Sequence, residues 1–284
     1  MKIGLIDYLN TMPFHYDLAE RLQGRGVGFT RGVPAQLNRA LMAGEIDLAP
    51  ISAIEAARHA DELVILPDLG IASLGAVRTV LLFAWVSDIR ELDGQSIALT
   101  DHSATSVELL KALCRERYGI QPQFHVTRQH LPSMLAEHQG ALVIGDDALV
   151  EGTIRRALSS PHGWNMPYCY DLGDEWLKMT GLPFVFALWA ARRDTAEALD
   201  KAGVFTALYE STERGLTEEA RDSIATAYAG KLELSAGVCC RYLRDLRYRL
   251  TEEDLAGLRR FLELALDDFD WNRLCFWQRA AVAL

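Results

Sequence analysis

Apolar and polar positions along the chain follow a repeating order: a short apolar run, a polar turn, then apolar residues at helical spacing. Residues 3–6 form the first run, followed by Asp7-Tyr8-Leu9-Asn10-Thr11 and, after Pro13, by a helical face of Phe14, Leu18 and Leu22. Pro13 suits the first turn of that helix. Residues 27–30 predict a second strand, and Gly32-Val33-Pro34 opens a helix with Leu37 and Leu41 on one face and Gly44 as its stop. Residues 46–49 and 63–66 predict two more strands, with Ser52 and Glu55 between them in the spacing of a capping box. Strands alternating with helices imply βαβ units and a mainly parallel sheet.

Residues 77–86 break this rhythm with a long, almost wholly apolar run, and residues 183–191 form a second. Between them the α/β style resumes, with strands predicted at 97–99, 124–126 and 141–144. The two long runs read as strands that cross from one lobe to another and back. This predicts a discontinuous first lobe, 1–86 plus 184–284, and a second lobe, 87–183. The remainder is expected to be helical, over 199–209, 217–229 and 251–269, with Thr251 capping the last helix. These helices are expected to cover the first lobe.

With 284 residues, half of them apolar, the chain can bury a substantial core. Its formal charge of −10 argues against a general nucleic-acid binder, because phosphate contacts need a basic face. An anionic ligand therefore needs a local site. No apolar run is long enough for a membrane span and the first residues lack a signal-peptide pattern, so a cytoplasmic protein with no membrane partner is expected. Five cysteines without metal-type spacing and seven histidines without a metal signature imply reduced structural thiols and no metal site.

In open α/β sheets the ligand lies beyond the carboxyl ends of the strands, and with two lobes it lies between them. Four such ends carry hydrogen-bonding or acidic groups: Asn10 and Thr11, Ser52, Thr105 and Ser106, and Asp146 and Asp147. The stretch 97–110 is the most informative of them. Its strand runs into a helix start, where free N–H groups and the helix dipole favour an anion. Thr105 is also placed to be the N-cap, with Glu108 completing a capping box. Two hydroxyl-bearing helix starts, one in each lobe, could hold two carboxylates.

Several motifs together carry a resemblance. Tyr8-Leu9-Asn10 with Pro13, Val33-Pro34 with Leu37-Asn38, Gly44-Glu45-Ile46-Asp47 with Ile51-Ser52, and Asp101 with Ser103 and Thr105-Ser106 are four of them; Ile144-Gly145-Asp146-Asp147-Ala148-Leu149 and Gly181-Leu182-Pro183-Phe184 complete the set. The chain resembles the chorismate dehydratases of the futalosine route to menaquinone. That resemblance implies an α/β, two-lobed, periplasmic-binding-protein type 2-like fold, with two crossing strands and a ligand cleft between the lobes. It further implies loss of water from chorismate, a dicarboxylate, to give 3-[(1-carboxyvinyl)oxy]benzoate, with no cofactor. The alternatives are the related 1,4-dihydroxy-6-naphthoate synthases and a non-enzymatic binder of a small carboxylate. The former carry a catalytic histidine in the segment where Asp146 and Asp147 stand here.

On this reading Thr105 and Ser106, with Ser103 beside them, hold one carboxylate, Ser52 holds the other, and Asn10 hydrogen-bonds the departing hydroxyl, with Thr11 next to it. Alternation along the crossing strand puts Arg78 and Thr79 on opposite faces. Thr79 is the expected cleft contact, since the family pattern has a serine near it, and Arg78 either joins it or pairs with a structural carboxylate. For the ring proton, the candidate bases are Asp146, Asp147 or the substrate's own enolpyruvyl carboxylate.

Overall fold

The computed structural model describes residues 1–158 and 166–278. The chain starts with β1 (Lys2–Ile6), β2 (Gly28–Gly32), β3 (Leu48–Ser52) and β4 (Leu63–Ser73). It then moves to a second sheet made of β5 (Val80–Ala84), β6 (Ser96–Thr100), β7 (Gln123–Thr127), β8 (Gly140–Ile144) and β9 (Tyr168–Asp171). It returns through β10 (Phe184–Arg192) and ends its strands with β11 (Leu246–Arg249). The first sheet has the order β11-β4-β10-β3-β1-β2, and the second β7-β6-β8-β5-β9. Within each, the βαβ-linked strands run parallel, while the strands that follow a crossing, β5 and β10, lie antiparallel to their neighbours. The fold is the two-lobed α/β arrangement expected.

The crossing elements differ from expectation. Only residues 80–84 of the run 77–86 are a strand, and all of it pairs in the second sheet, opposite β8 and β9. The chain therefore changes sheets at residues 74–79, ahead of the boundary drawn after residue 86. Arg78 has a left-handed backbone (φ 65°), so strand alternation does not apply to Arg78 and Thr79. The expected lobes also include residues 159–165 and 279–284, which lie outside the described residues.

Helices cover both sheets because each buries one apolar stripe. The region 199–209 is two helices, Ala196–Lys201 and Val204–Gly215, separated at Gly203, whose φ of 72° a helix does not allow. Glu218–Leu232 and Glu252–Ala265 follow the expected spans, and Thr251 caps the latter in a box with Asp254. The helix Ala236–Asp245 and strand β11 were not anticipated. Cys239, Cys240, Tyr242 and Leu243 are the helix's buried residues, and this helix packs on the turn Leu9–Thr11. The helix Glu252–Ala265 packs on β10 and also on Ala104–Ala112, thereby touching both lobes. Among the described residues, no helix is long and apolar enough to cross a membrane.

Candidate active site

On the first-lobe side, β1 ends in the 3-10 turn Leu9–Thr11. The buried Thr11 hydroxyl fixes that turn by donating to the carbonyls of Ile6 (2.6 Å) and Tyr8 (2.9 Å). Asn10 is presented at its centre, and its amide oxygen is buried with no hydrogen-bond partner among the described residues. A buried acceptor left unmade costs on the order of 1–3 kcal/mol, which a ligand donor would recover. At the end of β3 the buried Ser52 is held by the side chain of Asn38. Ser52 N–H donates to Asn38 Oδ1 and Asn38 Nδ2 donates to Ser52 Oγ, both at 3.2 Å. Both Ser52 interactions with Asn38 leave the serine hydroxyl proton free. Ser52 makes no capping bond, and Glu55 pairs with Arg58, so the capping box expected there is not formed.

On the second-lobe side, the N-cap of the helix Ala104–Ala112 is Ser103, not Thr105. Ser103 Oγ accepts the Ser106 N–H (3.2 Å) and donates to Ser106 Oγ (3.0 Å). Glu108 instead bonds Arg58 and Lys111. Thr105 points across the lobe boundary, and its hydroxyl oxygen accepts the Ile54 N–H at 3.2 Å. Asp146 also reaches across, accepting the Leu9 N–H at 3.0 Å. Burial pushes its carboxyl up to about 6, and the Leu9 bond opposes that rise. The exposed Asp147 accepts from Gln129 Nε2 (2.9 Å), whose amide also brackets the backbone of Ile144. Two more bonds join the lobes: Ala35 N–H to the His102 carbonyl (3.1 Å), and the Tyr8 hydroxyl with His102 Nδ1 (3.1 Å).

The segment between the lobes is held just as closely. Asp171, at the end of β9, accepts the N–H groups of Val77 (3.0 Å) and Arg78 (2.6 Å) and also caps the helix Leu172–Thr180. One carboxylate thus ties the first chain crossing to the start of the helix that leads into the second. The Arg78 guanidinium pairs with Asp245 (2.7 Å) at the end of the helix Ala236–Asp245. Next to it the buried Thr79 hydroxyl lies 2.9 Å from the Tyr242 hydroxyl, on that same helix.

Between these groups is a cleft with about 550 Å³ of empty space, its mouth included. Of the residues expected from the sequence, Asn10, Thr11, Ser52, Thr79, Ser103 and Ser106 line it together, whereas Arg78, Thr105, Asp146 and Asp147 do not. Apolar walls, among them Ile51, Ile71, Val77 and Phe186, separate the polar groups. Among the described residues none that lines the cleft carries a formal charge. Among the described residues, no three His, Cys, Asp or Glu side chains group so as to hold a metal ion. Hydroxyls and helix-start N–H groups can bind an anion without a cation, and their orientation is fixed before a ligand arrives.

Tyr8, Asn38 and Tyr242 join the site without having been singled out. Asn38 and Tyr8 stand inside motifs that carried the resemblance, so a signal existed for them. Tyr242 had none, because its partner Thr79 is 163 residues away.

Residues 1–267 match the Menaquinone biosynthesis family. A chorismate dehydratase of Thermus thermophilus is 36% identical over 267 residues, covering 92% of this chain and 93% of the relative. A chorismate dehydratase of Campylobacter jejuni is 31% identical over 191 residues, 66% of each chain. Among solved structures, a protein from Archaeoglobus fulgidus is similar with a TM-score of 0.70 at 21% identity, covering 93% of this chain and 96% of that one. The periplasmic aliphatic sulphonate binding protein of Escherichia coli is similar with a TM-score of 0.65 at 20% identity, over 98% and 92% of the two chains. These likenesses carry the periplasmic-binding-protein-like fold. The match along almost the whole sequence makes this chain a member of the menaquinone biosynthesis family.

Proposed function

We propose that the protein is a chorismate dehydratase, removing water from chorismate to give 3-[(1-carboxyvinyl)oxy]benzoate in the futalosine route to menaquinone. The observation that carries this reading is the likeness to the Thermus thermophilus chorismate dehydratase over 93% of that protein. The cleft fits the chemistry. Chorismate is a ring with two carboxylates and one hydroxyl, and apolar walls suit the ring.

In this proposal Ser106, its hydroxyl oriented by Ser103, and the first N–H groups of the helix Ala104–Ala112 hold one carboxylate. Ser52, its backbone fixed by Asn38, holds the other. Thr105 serves the site indirectly, by joining the lobes through Ile54. Asn10, on the cleft wall, hydrogen-bonds the only substrate hydroxyl, the group that leaves. Thr79 contacts the reacting face, and Arg78 stays in its ion pair with Asp245.

The elimination needs a ring C–H proton to depart as the C–O bond breaks, the C–H electrons forming the new ring double bond and the abstracted proton leaving with the hydroxide as water. Neither aspartate lines the cleft, and both carboxylates already accept protein hydrogen bonds. We therefore assign the base to the substrate's enolpyruvyl carboxylate. Aromatisation drives the step, so fixing the conformer supplies much of the catalysis. Incubating the protein with chorismate and following mass and absorbance tests the reaction. Loss of one water is expected; binding without loss of water overturns the reading, and turnover of a cyclic futalosine derivative instead points to the naphthoate synthase activity. The variant carrying both Asp146→Asn and Asp147→Asn is expected to keep turnover within about tenfold, whereas removing a general base costs roughly 10²–10⁴-fold.

A further inference from the structure

Tyr242 is 1% exposed and does not line the cleft, yet its hydroxyl lies 2.9 Å from Thr79 Oγ1, which does. The side chain of Asn10 is close enough to interact with the same hydroxyl. One buried phenol therefore stands behind two polar cleft residues that come from different segments, the turn after β1 and the crossing before β5. A purely apolar role would not place a hydroxyl there, since an unpaired buried hydroxyl is costly and phenylalanine would fill the same space.

We propose that Tyr242 is a positioning residue of the active site, whose hydroxyl sets the direction in which the Thr79 hydroxyl and the Asn10 amide face the substrate. Either oxygen of the Tyr242–Thr79 pair can be the donor. If Tyr242 donates, the Thr79 proton has, among the described residues, only the Val77 carbonyl at 3.4 Å as an acceptor, so it is available to the substrate. If Thr79 donates, its proton is taken up by the phenol and the Thr79 oxygen turns its lone pairs to the substrate. The phenol thus decides whether Thr79 presents a proton or a lone pair to the cleft. Burial raises the phenol far above its ordinary value, so it remains a neutral hydroxyl throughout the working range.

The helix Ala236–Asp245 is well placed for this role. It grips consecutive residues of the crossing segment, Arg78 through Asp245 and Thr79 through Tyr242. It also packs on the turn that carries Asn10. Thr79 is thus held from behind by Tyr242 and from the side by the Asp171 bonds to Val77 and Arg78.

The proposal rests on the dehydratase reading, and the test separates the two. Wild-type protein, Tyr242→Phe, Thr79→Val and the double variant are assayed with chorismate, with melting temperature as the control for folding. Loss of one oriented hydrogen bond in the transition state is expected to lower kcat of Y242F roughly tenfold with KM changed by less than about threefold. Because Tyr242 acts through Thr79, adding Y242F to T79V is expected to cost less than about twofold more. Unchanged kcat in folded Y242F, or losses that multiply in the double variant, overturns the proposal. If Y242F does not accumulate folded, 3-fluorotyrosine at position 242 keeps the ring and strengthens donation. A change in kcat at constant KM then supports the proposal, and no change in either overturns it. Absence of turnover by the wild-type protein is failure of the dehydratase reading instead.

Discussion

At the scale of single residues, Asp146 makes the clearest prediction about pH. Its carboxyl titrates at 3.8 when unperturbed and at about 6 in the folded protein, chiefly because burial disfavours the anion. Between those values the folded state binds more protons than the unfolded chain. Stability from this group is therefore greatest below pH 4, falls as pH rises to 6, and is level above. A shift of about two units corresponds to roughly 3 kcal/mol. Asp146→Asn keeps an oxygen for the Leu9 N–H and removes the charge. It is expected to be about 1–3 kcal/mol more stable than wild type at pH 7.5 and no more stable near pH 4, read by urea unfolding at both values. Comparing the variant with wild type matters because His15 titrates in the opposite sense. Its ring nitrogens are buried without partners, and burial holds it down to about 3, so its contribution is lost as pH falls from 6.5 towards 3. The polar strand ends were legible residue by residue because they follow apolar runs. Hydrogen-bond direction was not. Ser103 lacks an acid three residues on, so the capping-box rule passed over it for Thr105 and Glu108, although Ser103 is the cap.

At the scale of elements, the turn from β8 into the helix Gly145–Leu158 depends on its glycine. Gly145 has φ of 71°, and a Cβ there would come within 2.7 Å of the Tyr8 ring. Gly145→Ala therefore meets two obstacles: a left-handed backbone, costing about 1–2 kcal/mol, and a clash across the lobe boundary. The expected result is a lower melting temperature together with a raised KM for chorismate, since Tyr8 must yield and the cleft with it. An alanine variant with both values unchanged would mean that this contact does not shape the site. Strand–turn–helix units were visible because period and turn chemistry are local. The crossing differs for a related reason: Val77-Arg78-Thr79 adjoins the apolar run and extends its strand pattern in sequence, but the tertiary bonds from Asp171 bend these residues out of it.

At the scale of the whole molecule, the lobes meet through bonds from several separate segments, and Thr105 carries one of them. Thr105→Val keeps the shape and removes the acceptor for the Ile54 N–H. A buried unpaired donor costs about 1–3 kcal/mol in the closed arrangement, and exposure to water on opening relieves it. The population should move towards open forms. A several-fold rise in KM for chorismate with nearly unchanged kcat is expected, along with a larger radius of gyration by small-angle scattering. The two-lobed plan was legible from two long apolar runs with an α/β block between them. The interlobe contacts were not, since Leu9 with Asp146 or Ile54 with Thr105 join positions that no periodicity relates.

The position of β10 bears on how the protein is made. In the first sheet β10 lies between β3 and β4, which are not neighbours without it. During translation β4 is complete at Ser73, while β10 begins only at Phe184. At about 5–20 residues per second the ribosome takes roughly 6–20 s to cover that distance. Throughout that interval β3 and β4 lack their shared partner, and unpaired strand edges recruit other chains. The second sheet, by contrast, draws all its strands from the stretch synthesised meanwhile. The nascent chain thus completes its inserted lobe before it can close the lobe with which it began.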